Sequence, residues 1–61
     1  MKFKNISEAE KAIKAEYSEN ELFQNEIGYK CKRNEAIELL EQGQAIHTIE
    51  GDWIWFELEN K

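Results

Sequence analysis

The chain has 61 residues, a net charge of −5 and a single cysteine. That length allows one domain, residues 1–61, which buries only about 60% of the surface its unfolded form exposes. One cysteine excludes a disulfide framework and fits a reducing, cytoplasmic setting. One cysteine with one histidine cannot fill a four-ligand zinc shell, and no apolar run approaches the roughly 18 residues of a membrane span.

Met1-Lys2-Phe3-Lys4 alternates apolar and basic residues, which predicts a short edge strand whose lysines discourage aggregation. The run that follows is charged rather than apolar, so the basic start is not a signal peptide. Ser7-Glu8-Ala9-Glu10 has the spacing of a capping box, which predicts a helix over about 8–17. Ile6, Ala9, Ile13 and Tyr17 form its apolar stripe, and Glu10 and Lys14 are spaced as an i,i+4 ion pair.

Ser18-Glu19-Asn20-Glu21 repeats the capping pattern, with Tyr17 and Leu22 placed as a hydrophobic staple around it. This predicts a second, short helix over about 19–26 that turns Leu22 and Phe23 inward and ends by Gly28. Residues 26–33 alternate again and predict a strand, with Ile27, Tyr29 and Cys31 on one side and Lys30 and Lys32 on the other. Asn34 is placed to cap a third helix, Glu35–Gln42, closed by Gly43. Ala36, Ile37 and Leu40 face its interior, Leu39 sits at the margin, and Glu35, Glu38 and Glu41 lie along a solvated side.

Gln44 to Glu59 organises the rest. Two runs rich in β-branched and aromatic residues flank Gly51-Asp52, which suits a two-residue hairpin turn. That turn pairs Thr48 with Trp55 and His47 with Phe56. Alternation then puts Ala45, His47, Ile49, Ile54, Phe56 and Leu58 on a core face. Ile46, Thr48, Glu50, Trp53, Trp55 and Glu57 fall on the opposite face. A three-residue turn would reverse one strand's facing. The expected fold is α+β: a small single domain of two to three short helices packed on a small antiparallel sheet with a C-terminal β-hairpin.

Chemistry is sparse. The three glycines are scattered rather than gathered into a phosphate loop. Twelve glutamates make some carboxylate pair inevitable, so no pair marks an acid–base site. No feature pairs Cys31 with His47, and a thiolate nucleophile needs an activating base. Cys31 is expected as a small core hydrophobe and His47 as a hydrogen-bonded core histidine. Neither an enzyme nor a bound cofactor or metal is expected.

Charge is uneven. Residues 1–33 carry seven Lys or Arg and six Glu, whereas residues 34–61 carry one Lys against six Glu and one Asp. The acidic half holds both tryptophans. Exposed aromatic surface marks interaction sites, so Trp53 and Trp55, with Ile46, Thr48, Glu50 and Glu57, are the expected partner-binding residues. The expected function is a non-enzymatic protein–protein interaction module, docking on a protein partner or on itself as a homodimer. Plentiful Asn, Lys, Glu and Ile fit an AT-rich bacterial or phage coding sequence, so an accessory protein or inhibitor of a phage or mobile element fits as well. The alternative is a winged-helix-like nucleic-acid-binding domain using Lys30, Lys32 and Arg33. Against it, the acids on its recognition helix and wing would repel phosphates.

Overall fold

A computed structural model describes residues 1–50 and 54–59. The element order is β1 (Lys2–Phe3), α1 (Ile6–Glu16), β2 (Leu22–Asn25), β3 (Lys30–Lys32), α2 (Arg33–Glu41), β4 (Ile46–Thr48) and β5 (Trp55–Leu58). The five strands form one mixed sheet in the order β1-β5-β4-β2-β3. All pairings are antiparallel except β1 with β5, which is parallel. The domain is therefore α+β, two helices on a five-stranded sheet, with β4 and β5 forming a hairpin-like element.

The pairings make β1 parallel to β2 and β3 parallel to β4. α1 crosses from β1 to β2, and α2 crosses back from β3 to β4 on strands that run the opposite way. Such crossovers are nearly always right-handed, and two of them with reversed direction on reversed strands put both helices on the same face. The core agrees. Ala9 and Ile13 of α1 and Ala36, Ile37 and Leu40 of α2 close over Phe23, Cys31, Ile46 and Phe56 of the sheet. Aromatic rings add to the core: Phe3 stacks on Phe56 at 6.1 Å on the β1–β5 side, and Tyr17 meets Phe23 of β2 edge-on at 5.4 Å.

α1 keeps its predicted stripe and its Lys14–Glu10 ion pair at 2.6 Å. Its cap differs. Asn5, not Ser7, accepts the Glu8 amide, at 2.9 Å, and the first helical bond runs from the Ala9 amide to the Asn5 carbonyl. Asn5-Ile6-Ser7-Glu8 offers an N-cap two residues earlier, and the earlier start lets Ile6 join the stripe. α2 starts at Arg33, and its N-cap residue, Lys32, makes no side-chain capping bond. Its C-terminus is as predicted. Gly43 has φ +94°, its amide bonds the Leu40 carbonyl, and the Gln44 amide bonds the Leu39 carbonyl, a Schellman closure that requires a left-handed residue at Gly43.

The second predicted helix is not formed. The capping pattern at 18–21 makes only one turn, from the Glu21 amide to the Ser18 carbonyl. Residues 22–25 then run as β2 between β3 and β4. A helix of one or two turns is marginal by itself, whereas a central strand gains two ladders of hydrogen bonds and buries Phe23 and Asn25. Leu22, expected inside, points outward. The β2–β3 connection is a four-residue loop, Glu26-Ile27-Gly28-Tyr29, with Gly28 at φ +94°. Asn25 holds it: its Oδ1 accepts from the Ile27 and Tyr29 amides at 3.1 and 2.8 Å, and its Nδ2 donates to Gln44 Oε1 at 2.8 Å. Of the three residues expected on one apolar side, only Cys31 is buried; Ile27 is 88% exposed at the loop tip.

The hairpin register is shifted by one residue. Ile46 pairs with Phe56 and His47 with Trp55, so an odd number of residues separates paired positions. The expected Gly51-Asp52 turn lies outside the described residues. β5 faces as predicted, with Phe56 inward and Trp55 outward. β4 is reversed: Ile46 and Thr48 turn toward the helices and are buried, and His47 turns to the other side.

Candidate functional site

The strand register defines the face of the sheet that no helix covers. One row crosses it as Trp55, His47, Gln24 and Lys30, on β5, β4, β2 and β3 in turn. The next row is Ile49, Leu22 and Lys32, in which the Ile49 amide bonds the Leu22 carbonyl and Leu22 pairs with Lys32. Glu57 lies two residues along β5 from Trp55 and pairs with Lys2 of β1. The face therefore has an apolar and aromatic middle, two lysines on the β3 edge and an acid toward β1.

Trp55 is 41% exposed and Leu22 44%. His47 stands in the Trp55 row, on β4 between β5 and β2, yet is only 3% exposed. The Trp55 ring stands edge-on to it, centroids 4.4 Å apart. Its Nδ1 lies 2.8 Å from the Thr48 carbonyl, a distance at which an Nδ1–H donates. His47 is thus buried and hydrogen-bonded as expected, on the face opposite to the one expected.

Of the predicted partner-binding residues, Trp55 and Glu57 are on this face. Ile46 and Thr48 are buried against the helices and are removed from it by the register shift. Glu50 is exposed at the end of the sheet, beside a 160 Å³ hollow shared with Leu22. Trp53 lies outside the described residues. The alternative basic site is divided. Lys30 and Lys32 are on the open face, but Arg33 is held by its Nη1 donating to the Tyr17 carbonyl at 2.9 Å and its Nε donating to Asn34 Oδ1 at 3.1 Å. With β2 in place of the second helix, the winged-helix order of elements is absent. Sequence reasoning missed Leu22, Gln24 and Ile49 as members of the site, because only pairing with β2 and β4 brings them together.

The Tyr29 hydroxyl donates to the Glu35 carboxylate, and this bond, reinforced by the negative charge of Glu35, raises the phenol above its ordinary pKa. Burial raises the Cys31 thiol, with Glu35 adding to the effect; a raised thiol is a poor nucleophile at neutral pH. An open 330 Å³ cleft between α1 and α2 is walled by Glu10, Lys14, Glu38 and Glu41 over Ile6 and Ile37. Among the described residues no three His, Cys, Asp or Glu side chains gather as metal ligands. No helix among them is long and apolar enough to cross a membrane. No family model, no curated protein and no solved structure matches the chain.

Proposed function

We propose that the protein is a non-enzymatic binding module whose contact surface is the helix-free face of the sheet, and that its ligand is a protein. The observation that carries this reading is Trp55, a large aromatic left 41% exposed on a face with Leu22 and Ile49. Tryptophan is enriched among residues that dominate binding energy, and Trp55 and Leu22 stand exposed on the same face of a small body. The two lysines on the β3 edge flank these residues with charge without making the chain basic, since the net charge is −5. Lys30 and Lys32 supply too few phosphate contacts to outweigh that field.

Trp55→Ala and Leu22→Lys test the reading. Bait carrying either substitution, compared with wild type in cross-linked capture from the source cells, is expected to lose any stoichiometric protein while keeping a native circular dichroism spectrum. Binding that survives both substitutions would place the contact elsewhere. Retention of wild type on heparin at physiological salt, lost with Lys30→Glu, would replace the protein ligand with a nucleic acid.

A further inference from the structure

We infer that the partner on this face is a second copy of the chain, stacked sheet to sheet about a two-fold axis parallel to the strands and lying between β2 and β4. This rests on the proposed use of the helix-free face and adds its occupant and geometry. Such an axis preserves position along the strands and exchanges sides across the sheet. It lays β2 of one copy over β4 of the other, and β3 over β5. The two rows then become self-complementary. Leu22 meets Ile49 of the second copy, apolar on apolar. Lys30 meets Trp55, an ammonium over an indole face, with Glu57 of the second copy within reach along β5. A two-fold axis across the strands would instead stack the β3 lysines on one another and set like charges in contact.

Size supports the same occupant. A standard interface takes about 800 Å² from each partner, roughly a fifth of the 4081 Å² this chain exposes. Sheets stacked face to face pack about 10 Å apart, close enough for Leu22 and Ile49 to interdigitate. Chains this short commonly gain stability by association.

The decisive experiment joins sedimentation equilibrium with zero-length carbodiimide cross-linking of the full chain, using an equimolar mixture of ¹⁵N-labelled and unlabelled protein. Within one chain, Lys30 and Glu57 lie on strands three spacings apart, about 14 Å, too far for a direct amide between them. In the stacked pair they are neighbours. The expected result is a concentration-dependent dimer and a Lys30–Glu57 cross-linked peptide carrying mixed isotopes, both lost with Leu22→Lys. Mixing Leu22→Lys with Ile49→Glu chains is expected to restore a heterodimer, because one Lys–Glu contact and one native Leu–Ile contact replace the two lost ones. A monomer up to about millimolar concentration, or a dimer without the Lys30–Glu57 product, overturns the inference. If that monomer still binds another protein through Trp55, the open face remains a binding surface with a different occupant. A dimer indifferent to Leu22→Lys and Trp55→Ala overturns both readings.

Discussion

The two faces of this sheet are made by the same strands and have opposite fates. On one, Phe23, Cys31, Ile46 and Phe56 are sealed under α1 and α2. On the other, Leu22, Gln24, Lys30, His47 and Trp55 alternate with them along the same backbones. In a protein this small the helix-covered face must supply nearly all of the hydrophobic stabilisation. An aromatic residue on the other face is therefore available for contact. The comparison also explains β4, whose central position buries Ile46, His47 and Thr48 together: two of them under helices, the third beside the Trp55 ring.

Paired truncations break the comparison most directly. Phe23→Ala empties a fully buried site and is expected to cost about 3–5 kcal/mol, enough to unfold much of the population of so small a domain. Trp55→Ala is expected to cost about 1 kcal/mol, in the range of ordinary partly exposed substitutions. Urea titration followed by far-ultraviolet circular dichroism measures both. Equal losses would make the outer face a second core. An intermediate effect is expected at the C-terminal end of β2. Asn25→Ala strips the acceptor from the Ile27 and Tyr29 amides and the donor from Gln44, and is expected to cost about 1–3 kcal/mol. Hydrogen exchange at those two amides should accelerate before that of β2 does. If their protection is unchanged, the loop is held by its backbone alone. The smallest effect sharpens the boundary of α1 under the covered face. Asn5→Ala is expected to cost about 1 kcal/mol and Ser7→Ala less than about 0.5 kcal/mol. The reverse order in thermal melts would return the cap to Ser7.

Where local chemistry and burial point the same way, the residues are legible without a structure. The stripe Ala9–Ile13, the inward Ala36, Ile37 and Leu40, and the left-handed Gly43 each follow from a period or a cap within a few residues. Leu22–Asn25 was not legible, because a capping pattern and a staple argue locally for helix while the ladders that make it a strand come from residues far along the chain, at 30–32 and 46–48. The candidate site was half legible for the same reason. Trp55 and Glu57 follow from alternation in β5. Leu22, Gln24 and Ile49 depend on which strands become neighbours, and the exclusion of Ile46 and Thr48 depends on a one-residue register that the amphipathic pattern of β4 does not specify: it carries Ile46 and Thr48 on one side and Ala45, His47 and Ile49 on the other.

The sequence by itself determined an α+β domain, two of its helices, their buried faces and a C-terminal strand pair, since periodicity and capping are short-range physics that each segment carries with it. Tertiary structure alone decided that β2 is a strand, that β1 joins β5 in parallel, and which side of β4 meets the helices. Those outcomes turn on strand pairing, in which a shift of one residue exchanges inside for outside while leaving every local propensity unchanged.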